Sequence, residues 1–144
     1  MQLNYAEIAA LLPHGRGMCM ISEVIAWSEN SIHCVSERLA DQTNPLCNQG
    51  SLNTVLLIEY AAQAAGVHAA LLNSGTDNPR PAYIGAVNNM ELLQPLVDNY
   101  LPLSIKAECL MNNGAGAIYD IVVQQQEQPL LRGRFILSQP QSQL

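Results

Sequence analysis

Residues Val55–Leu72 form a run of eighteen without proline, in which only Glu59, Gln63 and His68 interrupt apolar or small side chains. The pattern predicts a helix that is apolar on nearly every side, which belongs inside a protein or a membrane. Its length approaches that of a membrane span, but a central carboxylate and an amide argue against one. The reading that remains is a core helix wrapped by a sheet. Ala61, Ala62, Ala64, Ala65, Gly66, Ala69 and Ala70 would let strands approach that helix closely.

Glu59 and Gln63 are spaced i, i+4 and share one helix face. A carboxylate buried there must be paired, hydrogen-bonded or protonated, because desolvation penalises its charged form. Two readings follow. Glu59 is either a structural residue satisfied by Gln63 or backbone, or a general acid that burial holds protonated.

The flanking elements follow from local signals. Asn4 to Leu12 reads as a short amphipathic helix stopped by Pro13, with Asn4 as N-cap and Glu7 three residues on, a capping-box variant. Met18 to Trp27 and Ser31 to Arg38 read as a strand hairpin around Ser28-Glu29-Asn30. Ala40 to Asn53 has loop composition, and Ser51 or Asn53 would cap the central helix. Asn73 to Pro81 is the exit loop. Ala82 to Leu92 reads as a strand with Gly85 a bulge or close-approach point. Tyr100 to Met111 and Ala117 to Gln126 form a hairpin through Asn112-Asn113-Gly114. A turn near Glu127-Gln128-Pro129 leads to a last strand, Leu130 to Leu137, and residues 139–144 form a polar tail expected to fray. Strands grouped around one long helix indicate an α+β domain with a mostly antiparallel sheet of about six strands, spanning residues 1–144 as a single unit.

Composition excludes several function classes. A net charge of −6 with only six Lys and Arg disfavours nucleic acid as a partner. The cysteines Cys19, Cys34, Cys47 and Cys109 show no CxxC spacing, so no zinc site is expected, and no cofactor either. Free thiols and a start lacking a cationic segment before an apolar one indicate the cytosol, and no membrane association. At 12% charged and 49% hydrophobic residues, a large surface is expected to be buried against another subunit.

Two segments carry a family likeness. Leu12-Pro13-His14-Gly15-Arg16-Gly17-Met18-Cys19-Met20-Ile21-Ser22-Glu23-Val24 resembles the pattern L-P-H-R-x-P-[FM]-L-L-[LV]-D-R-V, and Leu57-Ile58-Glu59-Tyr60-Ala61-Ala62-Gln63-Ala64-Ala65-Gly66 resembles L-I-E-A-[ML]-A-Q-x-x-G. Both belong to the hotdog-fold 3-hydroxyacyl-(acyl carrier protein) dehydratases. The Glu59-Tyr60 pair and a histidine nine residues after Glu59 look most like the aryl-polyene-type branch. The resemblance implies a hotdog fold, a carrier-protein or coenzyme A thioester substrate, and a homodimer, a higher oligomer or a heterodimer with a related dehydratase. It also implies that Glu59 is catalytic, facing a histidine from the other subunit. That histidine lies in an H-F-P-G-N-P tract upstream of the helix. Aligning Asn44-Pro45 on the end of the tract puts Ala40 at the histidine position, with five extra residues before Glu59.

Three histidines remain as candidate bases. His68 lies nine positions from Glu59, on the opposite side of the helix, so only a partner subunit would bring it near a Glu59. His33 falls in a predicted strand, where a half-exposed, non-catalytic role is expected. His14, in a loop within the first matched segment, is the preferred base; its other reading is a cap on the preceding helix. Dehydration would then pair a base that removes the proton α to the thioester carbonyl with Glu59, which protonates the departing 3-hydroxyl. Backbone N–H groups from Gly50 to Asn53 would meet the enolate oxygen. Gln63 would contact substrate, the helix alanines would line an acyl tunnel, and Arg16, Arg80 or Arg132 would meet a carrier phosphate. Two alternatives stand beside this reading: a catalytically weak hotdog subunit that binds acyl groups or partners an active homologue, and an acyl thioesterase.

Overall fold

The computed structural model describes residues 2–11, 19–37, 57–72, 83–93, 101–113 and 115–138. In chain order their elements are α1 (Tyr5–Leu11), β1 (Glu23–Trp27), β2 (Ser31–Ser36), α2 (Leu57–Leu72), β3 (Tyr83–Leu92), β4 (Leu103–Asn112), β5 (Gly116–Gln125) and β6 (Gln128–Ser138). The strands form one six-stranded sheet in the order β1-β2-β4-β5-β6-β3, and every pairing is antiparallel. Helix α2 lies across one face, packed mainly on β4, β2 and β5. This is the α+β arrangement of one helix and one sheet expected from the central apolar run.

The sheet alternates because one face meets α2 and the other does not. In β5, Ala117, Tyr119, Ile121 and Val123 point to the helix and are buried, while the intervening residues are only partly covered. The same rows continue across the ladder: Cys34, Ile105, Val123 and Leu131 lie side by side beneath α2. Ala61, Ala64, Ala65 and Ala69 are buried as well. In the protomer these alanines serve close packing of helix on sheet.

Local signals hold at several boundaries. Asn4 Oδ1 accepts from the Glu7 amide at 3.0 Å and Glu7 Oε1 accepts from the Asn4 amide at 3.2 Å, a reciprocal capping box on α1. The β3–β6 register shifts at Gly85, between Ile84 and Ala86. Asn113 turns the β4–β5 hairpin, its Oδ1 accepting from the amides of Ala115 and Gly116 at 3.0 and 2.9 Å.

Other boundaries differ from expectation. β4 starts at Leu103, after Pro102, which has no N–H to give a ladder; the expected start at Tyr100 lies outside the described residues. The last turn sits one residue early, on Gln126 and Glu127, with φ of +48° and +68°. Two positive-φ residues between paired Gln125 and Gln128 make a type I′ hairpin turn, and Pro129 falls inside β6 beside a register shift. Of the predicted strand Met18–Trp27, Met18 lies outside the described residues and the described part forms a ladder only from Glu23. Cys19, Met20 and Ile21 are fully buried yet outside any strand, because side chains rather than a neighbouring strand satisfy Met20. The loops at 40–53 and 73–81, the helix start at Val55 and the tail 139–144 lie outside the described residues.

Candidate functional site

Helix α2 carries the site's one described carboxylate near its N-terminal end. Glu59 sits in the first turn, where the helix dipole favours negative charge. It was expected to be buried; in the protomer it is half-buried. Ile58, Ala62 and Gly66 share this partly exposed side, so α2 presents a strip of small and apolar residues with one carboxylate that its own sheet does not cover.

Gln63, 4% exposed, connects that carboxylate to the interior. Its Oε1 accepts from the Met20 amide at 2.7 Å, which leaves Nε2 to donate to Glu59 Oε1 at 3.2 Å. The orientation of the amide is therefore fixed, since the Met20 N–H can meet only an acceptor. On its other side the Met20 carbonyl accepts from the buried Ser36 hydroxyl at 2.5 Å. Spacing identified Glu59 and Gln63. Met20 and Ser36 were missed, because nothing in an apolar run or at a strand end reports where a side chain will reach.

The described histidines lie away from this carboxylate. His68 is fully buried. Its Nε2 donates to the Ser28 carbonyl at 2.8 Å, so Nδ1 of the neutral ring accepts from the Tyr119 hydroxyl at 2.6 Å. Burial holds its pKa below the usual histidine value, partly offset by the Ser28 bond, and holds the Tyr119 hydroxyl well above its own, helped by Cys109. Both ring nitrogens of His68 are thus engaged within the protomer, beneath the sheet. His33 is half-exposed on the face away from α2, at 2.7 Å from Ser104 Oγ, with its pKa lowered by burial and then by Lys106. It points away from the Glu59 side of the sheet.

Among the described thiols, Cys34 is pushed up to about 12 by burial and by neighbouring Cys19, so it is protonated and unreactive at neutral pH. Arg132 lies on the outer face in an exposed ion pair with Glu91 at 3.5 Å, remote from the helix strip. His14, Arg16, Ala40, Gly50, Asn53 and Arg80 lie outside the described residues. Among the described residues no three His, Cys, Asp or Glu side chains are grouped to hold a metal ion. No described helix is long and apolar enough to cross a membrane.

A family model described as ApeP-like, ApeP dehydratase, matches residues 6–144. The solved dehydratase heterocomplex ApeI:P from Xenorhabdus doucetiae superposes with a TM-score of 0.85 at 23% identity, over 94% of this chain and 91% of that one. A hypothetical thioesterase with coenzyme A from Streptococcus pneumoniae TIGR4 gives 0.61 at 14% identity, over 82% and 87%. The thioesterase PA1618 from Pseudomonas aeruginosa, in its Q49A form, also gives 0.61 at 14%, over 82% and 79%. At these identities the structural likeness shows the fold, which is the hotdog fold. No curated protein sequence matches the chain.

Proposed function

The chain belongs to the ApeP-like dehydratase family, and from that membership we propose that Glu59 is the acid of a 3-hydroxyacyl thioester dehydratase. In this reading a base removes the proton α to the thioester carbonyl. The electrons move into the enolate, and as they return the Cβ–O bond breaks; Glu59 protonates the leaving hydroxyl, which departs as water. The product is a trans-2-enoyl thioester. Carrier-protein-bound intermediates of aryl polyene assembly are the substrate class.

The observation that carries this reading is the setting of Glu59. It lies on the side of α2 that its own sheet leaves open, among Ile58, Ala62 and Gly66. One of its oxygens is held by Gln63. An acyl chain laid along that strip would place its 3-hydroxyl beside a carboxyl already oriented by the fold. His14 is the proposed base, Gly50 and Asn53 the proposed source of oxyanion donors, and Arg16 the proposed contact for a carrier phosphate. The role of His14 rests on the first matched segment, that of Gly50 and Asn53 on their place just before the central helix, and that of Arg16 on the scarcity of cations in the chain.

The strip needs a cover, and the far edge of the sheet supplies a reason for one. β3 is an edge strand of ten residues. Val87 and Leu92 stand in ladder rows with buried Phe135 and Leu131, on the helix side of the sheet. They are nevertheless 41% and 50% exposed, because α2 does not extend over them. An uncovered apolar edge of this length favours pairing with another chain. A second hotdog subunit, identical or related, is the proposed partner, and the heterocomplex formed by ApeI:P supports a related one.

A second reading assigns this chain a carboxylate and its partner the base. Ala40 at the family's histidine position and the engagement of His33 and His68 elsewhere favour it. Product analysis tests the reaction class: incubation with a 3-hydroxyacyl thioester should give the enoyl thioester with its sulfur still acylated. Release of free thiol instead would make the protein a thioesterase.

A further inference from the structure

Cys19, Met20 and Ile21 are fully buried and follow the segment that contains His14, yet no strand pairs with them. Met20 is held instead from two sides. Its N–H donates to Gln63 Oε1 at 2.7 Å and its carbonyl accepts from Ser36 Oγ at 2.5 Å. The same glutamine donates to Glu59 at 3.2 Å. The peptide groups on either side of Met20 are thus fixed by β2 and α2, and the carboxylate of α2 is tied to them through a single side chain.

Resting on the assignment of Glu59 as the acid, we propose that Gln63 is a positioning residue that orients the Glu59 carboxyl from the Met20 backbone, and that Ser36 holds Met20 in place for it. Met20 forces the acceptor end of Gln63 inward, so only the donor end meets Glu59. That donor occupies Oε1 and leaves Oε2 to face the substrate. The oxygen that delivers the proton is selected by a backbone amide in a different part of the chain. Gln63 accordingly acts through Glu59 and does not itself bind the acyl group.

Isosteric variants separate this role from packing. Gln63→Glu still accepts from Met20 but sets a second carboxyl beside Glu59, and two carboxyls so close share a proton. Because a general acid loses activity as it deprotonates, the alkaline limb of the pH–kcat profile should move up by roughly one pH unit or more. Gln63→Leu should lower kcat at least ten-fold with KM nearly unchanged, and speed hydrogen exchange at the Met20 amide. Ser36→Ala should lower kcat several-fold and speed the same exchange. All are measured on the full chain in the assembly that turns over the thioester, beside Glu59→Gln. If Glu59→Gln is inactive while Gln63→Leu keeps wild-type kcat, or while an active Gln63→Glu keeps the wild-type profile, the positioning role is overturned and the acid stands. If Glu59→Gln retains activity, the acid assignment itself falls.

Discussion

Tyr119 on β5 donates its hydroxyl proton to Nδ1 of His68 on α2 across 2.6 Å, the other ring nitrogen being committed to the Ser28 carbonyl. The bond joins the C-terminal half of α2 to the middle of the sheet, at the end of the helix remote from Glu59. Tyr119→Phe removes the donor and leaves a buried acceptor unpaired, so stability should fall by about 1–3 kcal/mol in urea unfolding. Turnover per folded molecule should change little. A variant as stable as wild type would mean that the latch contributes nothing to the fold.

The same ring gives stability a pH dependence. Burial holds the His68 pKa below its ordinary 6.5, so between those two values the unfolded chain binds a proton that the folded one refuses. The contribution is complete above about pH 6.5 and is lost as pH falls towards the folded value. Urea midpoints at pH 7.5 and 5.5 should therefore differ more for wild type than for His68→Gln. Equal differences in the two proteins would show that His68 titrates as it does in the unfolded chain.

The β5–β6 turn stores strain that can be removed. Gln126 and Glu127 both adopt positive φ, a region costly for ordinary L residues and well suited to Asn-Gly. Replacing the pair by Gln126→Asn with Glu127→Gly should raise stability by about 1 kcal/mol. The gain would be read from the urea midpoint at constant slope. A drop in stability would mean that the native turn is held by its own side chains.

The uncovered helix-side edge of β3 predicts an association site. Leu92→Asp places a charge in the row that continues Leu131 and Val123. If a second subunit buries that position, the variant loses about 1.5–3 kcal/mol of apolar burial and adds the cost of a desolvated charge. Sedimentation should then show wild-type assemblies dissociating to protomers in the variant. An unchanged sedimentation coefficient would move the interface elsewhere.

Much of this architecture was legible in the chain, for definite reasons. The central helix announced itself by an unbroken apolar run, and Glu59 and Gln63 by spacing, since i and i+4 share a face whatever the tertiary context. Asn4 with Glu7, Gly85 and Asn113 act through local backbone geometry, so their roles also survive without the fold. Met20 and Ser36 could not be read that way. Gln63 reaches Met20 across 43 residues and Ser36 reaches it across 16, and no local pattern encodes such distances. The strand reading of Cys19–Ile21 failed for the same reason: an apolar run reports burial but not what pairs with its backbone. Nor did any local signal place β3 beside β6, or put the turn on Gln126 and Glu127, which lack glycine and asparagine.

The base is tested through His14. If it removes the α proton, His14→Ala should lower kcat on the order of 10²–10⁴-fold while the sedimentation and unfolding of the chain stay as they are. Wild-type kinetics would leave the proton acceptor to the partner subunit, as the alanine at position 40 already invites.

The acid is tested most directly by one substitution. Glu59→Gln keeps the volume and a partner for Gln63, but it cannot give up a proton to a leaving hydroxyl. Formation of enoyl thioester from a 3-hydroxyacyl thioester, followed by mass as the loss of water, should fall on the order of 10²–10⁴-fold in an otherwise intact assembly. Dehydration at the wild-type rate would contradict the account, and Glu59 would then be only a polar residue on an open helix face.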